Sequence, residues 1–298
     1  MPNNIFYDKF SKMTDEKFLE LLTSSINEPF FEKTRLPGFP QDEIQKNFVG
    51  SSGEATLREA FHFYSIVKTY VAKHSFLHSD TKILDFGCGW GRMARFFLKD
   101  VKAENLYGVD VDSDIIDTCN KIMHYGNYLA VEPFPPTTFQ DNSFDVIYAY
   151  SVFSHLSEGA HIKWVSEFKR ILKPDGLLLV TTQGRSFLDF CASCRPKLTF
   201  LDKIKDVVGL YQPQYETLWH KALSKSFVNT ESSKKDYDKG KFLFSPTGGG
   251  PYRPSTFYGE AIIPRQYVEN EWTKYLRFID FVDDRSFMPQ ALIVMQKD

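Results

Sequence analysis

Residues 83–92 read ILDFGCGWGR. An apolar run ends on an acid, and glycines follow at alternate positions, 87, 89 and 91. Glycine lets a backbone turn sharply and come close to a ligand. A turn of this kind after a buried strand and before a helix is a nucleotide-binding arrangement. The spacing is G-x-G-x-G, which matches neither G-x-G-x-x-G nor a P-loop. Asp85 directly before the turn is a poor neighbour for phosphates and a good one for a cationic amine.

Outward from this turn, strands and helices alternate. TKILDF, NLYGVDV (105–111), YLAV (128–131), FDVIYAYSVF (144–153) and GLLLVTT read as strands. GRMARFFLKD begins a helix, and SDIIDTCNKIM forms one with Ile115, Cys119 and Ile122 in register. EGAHIKWVSEFKRILK is a helix with Ile162, Val165, Phe168 and Leu172 inward. KPDG is expected to end it, because Pro174 cannot continue a helix and Asp175–Gly176 turns the chain. Near-continuous apolar strands separated by helices predict a parallel sheet covered on both faces. PRQYVENEWTKY reads as a further helix with Pro264 near its start, and RFIDFVDD and ALIVMQK as two closing strands.

The flanks are less regular. Residues 1 to about 50 look peripheral. TDEKFLELL carries a Thr cap. Ser51 and Glu54 have capping-box spacing ahead of a helix over 54–74, with Leu57, Phe61, Tyr64, Val67 and Val71 on one face. Residues 184 to about 262 break the alternation. They hold SFLDF, CASC, a helical stretch at 201–211, a polar run (NTESSKKDYDKGK) that looks mobile, and SPTGGGPYRPSTFYG. A structureless loop of that length is improbable, so a lid or subdomain is expected.

Composition narrows the function. The net charge of −2 excludes the basic footprint of a nucleic-acid binder. No run approaches a membrane span, and the N-terminus lacks a signal-peptide core. Four cysteines suit a reducing cytoplasm. CASC alone offers too few ligands for zinc and reads as packing, so no metal is expected.

Four segments in order carry a family resemblance. ILDFGCGWGR resembles the first motif of class I S-adenosylmethionine-dependent methyltransferases, and YGVDVDSDII resembles the second. DNSFDVIYAYSVFSHL is similar to the fourth-strand motif, and RILKPDGLLLVTT to the late helix, turn and fifth strand. The resemblance implies a Rossmann-like three-layer α/β/α sandwich with a mostly parallel seven-stranded sheet. Residues 81–183 and 262–298 would form its core, residues 1–80 a helical extension, and residues 184–261 a substrate-capping insert. S-adenosyl-L-methionine is the implied cofactor. By position, Asp85, Gly87, Cys88, Gly89 and Gly91 would cradle its methionine part and ribose. Asp110 would accept the ribose hydroxyls, since a carboxylate can take two donors at once. Val111 would pack on the adenine. The usual acid-rich turn after the third strand is missing, which leaves Glu132 to read the adenine amino group. Tyr150 and Ser151 would lie beside the sulfonium.

His155 in SVFSHL is a candidate general base, with a loop-holding role as the alternative. His161 is expected on a helix surface. Tyr258 and Glu260, in FYGEAII, are candidates for acceptor contact. The motif [DNS]-P-P-[YFW] is absent after the fourth strand, which counts against a nucleic-acid base as acceptor. The expected reaction is methyl transfer to an oxygen of a small molecule or sugar. A small-molecule N-methyltransferase and a non-catalytic cofactor-binding partner protein are the alternatives. A homodimer is compatible with the sequence.

Overall fold

The computed structural model describes residues 5–74, 77–197 and 213–298. The helical stretch expected at 201–211 lies outside them. Five strands, β1 (Ile83–Phe86), β2 (Leu106–Asp110), β3 (Asn127–Ala130), β4 (Phe144–Ala149) and β5 (Leu172–Thr182), run parallel. A short antiparallel pair follows, β6 (Leu243–Ser245) with β7 (Glu260–Ile262). Two closing strands complete the main sheet: β9 (Ala291–Gln296) runs antiparallel to β5, and β8 (Arg277–Val282), antiparallel to β9, runs in the direction of the first five. The seven-stranded order is β8-β9-β5-β4-β1-β2-β3. The chain therefore winds outward from β1 through β3 and then crosses back to β4. The reversal leaves a crevice at the carboxyl ends of β1 and β4, where open α/β sheets bind ligands.

Helices cover both faces. On one lie α1 (Ile5–Phe10), α2 (Asp15–Ser24), α4 (Glu54–His74), α5 (Ala94–Phe97) and α6 (Ser113–Met123), and the short α3 (Asp42–Val49) lies between α2 and α4 in the chain. Phe6, Phe10, Phe18, Leu57 and Phe63 pack there with Ile83, Tyr148 and Leu179 from the sheet. On the other, α7 (Glu158–Ile171) buries Trp164, Val165 and Phe168 against Leu84, Phe86 and Ile147. One apolar layer on each face makes the predicted three-layer sandwich.

The N-terminal residues are not peripheral. Phe6, Phe10 and Phe18 are fully buried in the main core. The break LPGFP is tied down by Arg95, which is itself buried. Its Nη2 donates to Gly38 O at 3.0 Å, and its guanidinium lies 4.6 Å from the ring centroids of Phe39 and Trp90. The Thr14 cap forms, accepting Lys17 N–H. The capping box at Ser51 does not. The start of α4 is fixed instead by Gly53 N–H donating to Gln45 Oε1 at 3.0 Å and Ser52 Oγ donating to Asp42 Oδ2 at 3.1 Å.

The expected turn at KPDG is absorbed into β5. Phe144 pairs Leu172 and Val146 pairs Leu177, so residues 173–176 bulge out of register. Asp175 takes a positive φ of 63° in this bulge. His161, expected at the surface, is fully buried among Phe153, Phe242, Tyr267 and Trp272. Burial lowers its pKa to about 3, which keeps it neutral.

Beyond β5 come α8 (Phe187–Ser193), α9 (Leu218–Lys225) and α10 (Thr230–Asp238). Their apolar side chains form a separate small cluster, in which Phe187, Leu188, Cys191 and Leu223 pack on Ile262. Cys191 of CASC belongs to it, and burial pushes its thiol up to about 12, which leaves it unreactive. The polar run is helical over Thr230–Asp238. Asn229 caps α10 through its side chain, and Lys234 pairs with Asp189 at 2.7 Å. After β7 the chain enters α11 (Arg265–Glu271), with Pro264 at its N-cap.

Candidate functional site

A cavity of about 160 Å³ opens at the crevice between β1 and β4. Its floor is the glycine turn. Gly87, Gly89 and Gly91 all have positive φ. Asp110 at the end of β2 holds the turn in place, accepting Gly89 N–H at 3.0 Å on one oxygen and Asp112 N–H at 3.1 Å on the other. Each oxygen keeps a lone pair for a further donor. Burial raises the Asp110 pKa, and the two backbone donors and nearby Arg253 oppose that rise.

Asp85, Gly87, Cys88, Gly89, Asp110, Val111, Tyr150, Ser151, His155 and Tyr258 all line this cavity, as their positions in the sequence suggest. Three expected residues do not. Glu132 is exposed, because the extended chain after β3 turns Val131 and Pro133 inward and Glu132 outward. Gly91 faces the core, where an added Cβ would lie 2.7 Å from Met123 Cγ and 3.1 Å from Cys119 Sγ. That glycine serves helix packing. Glu260 lies behind the cavity wall, only 2 % exposed, accepting Trp219 Nε1–H at 2.9 Å.

Ser151 follows β4 with a φ of 59°, an uncommon conformation for a residue other than glycine. Its N–H donates to Thr181 Oγ1 at 2.7 Å, and its hydroxyl accepts from Gln290 Nε2 at 2.9 Å. These bonds from β5 and the stretch before β9 hold the strained corner. Next to it, Tyr150 donates to Glu59 at 2.8 Å, beneath Arg92.

The loop after β4 is sewn to the stretch before β7. Ser157 N–H donates to Phe257 O at 2.8 Å, Gly259 N–H to His155 O at 2.8 Å and Ala261 N–H to Ser154 O at 2.7 Å. Within this seam His155 stacks on Tyr258 at 4.9 Å, and its Nδ1 lies 2.8 Å from Gly259 O. A carbonyl can only accept, so Nδ1 carries the proton. In the neutral ring that leaves Nε2 as an acceptor. The Glu260 carboxylate stands 3.7 Å from Nδ1.

Several cavity residues were not singled out from the sequence. Phe48 and Val49 come from α3, and Arg92 and Met93 follow the glycine turn. Phe48 lies in a segment with no strand or glycine signal of its own.

Residues 83–176 match the methyltransferase domain family. Over those residues the chain is similar to a methyltransferase domain. A phosphoethanolamine N-methyltransferase of Plasmodium falciparum is 29% identical over 134 residues, which cover 44% of this chain and 47% of that protein. A 2-methyl-6-phytyl-1,4-hydroquinone methyltransferase of Synechocystis is 28% identical over 102 residues, covering 34% of this chain and 31% of that one. The matches thus span less than half the length of these relatives. A solved structure of a Pyrococcus horikoshii protein superposes with a TM-score of 0.51 at 16% identity, covering 83% of this chain and 92% of that one. That likeness concerns the fold.

The methyltransferase domain's cofactor is S-adenosylmethionine, and two features of the cavity fit it. Asp85 is fully enclosed, and its Oδ2 has no hydrogen-bond partner among the described residues. The ammonium group of the cofactor would supply the missing donor. Asp110 would take the ribose hydroxyls on its free lone pairs. Burial, with a contribution from Asp110, pushes Asp85 up to about 7, while Tyr148, Arg92 and the Ala94 backbone act against it.

A pH dependence follows. Below about 7 the ligand-free Asp85 is neutral and forms no ion pair; above it the carboxylate is ready-made. Affinity for S-adenosylhomocysteine should rise between pH 6 and pH 8, and binding near neutrality should release protons. The stability of the ligand-free protein has the opposite sign. Its extra bound proton stabilises it at low pH, and that contribution is lost as pH rises through 7. Calorimetry in buffers of different ionisation enthalpy reads the proton release. In Asp85→Asn both dependences should flatten; a full pH response in that variant would rule out Asp85 as its source.

Proposed function

We propose that the protein transfers a methyl group from S-adenosylmethionine to an oxygen of a small-molecule or sugar acceptor. The cofactor supplies a methyl group already activated on a sulfonium. What the chain must supply is alignment, exclusion of water and a place for the acceptor's proton. The observation that carries the oxygen reading is the fixed tautomer of His155. With Nδ1–H committed to Gly259 O, Nε2 is the acceptor left to receive a proton from an alcohol. Tyr258, stacked on the imidazole, sets the ring plane. Glu260 stands behind it, 3.7 Å from Nδ1.

We assign residues 184–261 as the cap over the acceptor. Its return segment supplies Arg253, Phe257 and Tyr258 to the cavity wall. Methyl transfer to a small amine is the second reading, supported by the Plasmodium relative's activity on phosphoethanolamine.

The test is production of S-adenosylhomocysteine against panels of alcohols, sugars and amines, followed by kinetics of one variant. His155→Asn keeps a donor for Gly259 O but offers no base. With an alcohol acceptor, kcat should fall by about 10²–10⁴ while cofactor affinity holds. A loss of threefold or less would leave His155 with the loop-holding role alone. Turnover confined to amines would replace the oxygen reading with the second one.

A further inference from the structure

Arg253 sits in the glycine-proline loop between β6 and β7, far along the chain from β2, yet its guanidinium reaches the cofactor side of the cavity. Nη2 lies 3.3 Å from Asp112 Oδ2, two residues beyond the Asp110 carboxylate. The guanidinium carbon lies 5.2 Å from the Phe48 ring centroid and 5.8 Å from that of Tyr258. The loop that carries it is itself fixed. Gly249 N–H donates to Arg253 O at 2.7 Å, and the neighbouring Tyr252 hydroxyl donates to Asp114 Oδ2 at 3.1 Å. Despite this fixed setting, Nε of Arg253 is buried and has no hydrogen-bond partner among the described residues. A buried charged donor left without an acceptor is unfavourable and rare.

Asp110 and Arg253 line the same cavity and differ in what they offer. Asp110 has only acceptors and Arg253 only donors. A hydroxyl both donates and accepts. A cis-diol placed between them would satisfy the free lone pairs of the carboxylate and the orphaned guanidinium donor together. We infer that Arg253 is a cofactor-binding residue, contributed by the cap, that donates to the ribose diol whose protons Asp110 accepts. This rests on the methyltransferase reading and extends it. Ribose binding and the cap loop then share one contact, made by a loop already held in position.

The experiment compares 5′-methylthioadenosine with its 2′,3′-dideoxy analogue, by calorimetry, on the wild type and on Arg253→Met and Arg253→Lys. In the wild type, removal of the diol should lower affinity at least tenfold. In Arg253→Met, the affinity for 5′-methylthioadenosine should fall at least tenfold, and the further loss on removing the diol should shrink toward the share due to Asp110. Arg253→Lys keeps the charge without the fork and should fall between the two. An unchanged diol effect in both variants would overturn the assignment, whatever their absolute affinities. So would affinity within twofold of wild type in Arg253→Met. A wild-type protein that binds neither nucleoside nor S-adenosylhomocysteine would instead remove the methyltransferase reading, and this assignment with it.

Discussion

Asp110→Ala should lower the affinity for S-adenosylhomocysteine by a hundredfold or more. Two losses combine. The ribose hydroxyls lose two charge-assisted bonds, each worth about 1.5–3 kcal/mol. At about 1.4 kcal/mol per tenfold, those bonds alone account for roughly two to four decades. The glycine turn also loses its anchor, because Asp110 accepts Gly89 N–H and Asp112 N–H. Two backbone donors are then left to water or to nothing, and the turn is free to relax. The expected signature is a large affinity loss in a protein that still melts cooperatively, since β2 itself is held by β1 and β3. Asp110→Asn is the useful companion. It keeps an acceptor for one backbone donor and should lose less. Unchanged affinity in Asp110→Ala would dissociate this turn from the cofactor altogether.

Replacement of residues 186–256 by a short Gly-Ser linker should abolish methylation of the native acceptor. Misplacing reacting groups by about 1 Å can cost a hundredfold, and this change removes the bond from Gly248 N–H to Tyr258 O that steadies the cavity wall. It also removes Arg253. Cofactor affinity should therefore drop to the level of Arg253→Met and no further, because Asp85, Asp110 and the glycine turn all lie outside the excised stretch. The variant keeps Tyr258 and the seam to His155. Ile262 would lose the small cluster of Phe187, Leu188 and Leu223 that covers it, so some stability should go as well. Normal turnover by this variant, or a change in oligomeric state alone, would show that the segment is an assembly arm and not a cap.

The core of the fold could be read from the sequence because its signals are local. Asp85, the glycine turn and Asp110 are fixed by a strand end and a tight turn, and those leave residue-level marks. The alternation of apolar strands with periodic helices leaves the same kind of mark and pointed to a parallel sheet covered on both faces, while the seven-stranded sandwich was implied by the family resemblance. What escaped depends on side-chain direction or on distant partners. Glu132 has the right chemistry and the wrong parity: in an extended chain its neighbours Val131 and Pro133 face inward. His161 looked polar enough for a surface, but it follows Ala160 on the buried side of α7, and an aromatic box closes over it. Phe48 reaches the cavity only through tertiary packing, and no spacing rule points to it, whereas Arg253 stood out beside Tyr252, Tyr258 and Glu260 as a polar group on the glycine-proline loop. The polar run looked mobile by composition, while it forms a helix with a side-chain cap and an ion pair to α8.

The seam between the β4 loop and the stretch before β7 has a consequence for anyone who would redirect this protein to a new acceptor. Its three stitches are all backbone to backbone, at Ser157–Phe257, His155–Gly259 and Ser154–Ala261. Peptide groups bond in the same way whatever side chains they carry. Leu156, Phe257 and Tyr258 therefore face the cavity from a frame that does not depend on their identity. A library restricted to apolar and aromatic side chains at these three positions should return mostly folded members with altered acceptor range, since Leu156 and Phe257 are buried. Gly259 must be left out of it. A Cβ there would stand 2.1 Å from the Ser245 carbonyl oxygen, a backbone atom of the paired strand with no rotamer to yield. Any side chain at that one position should unpick the frame on which the other three are free to vary.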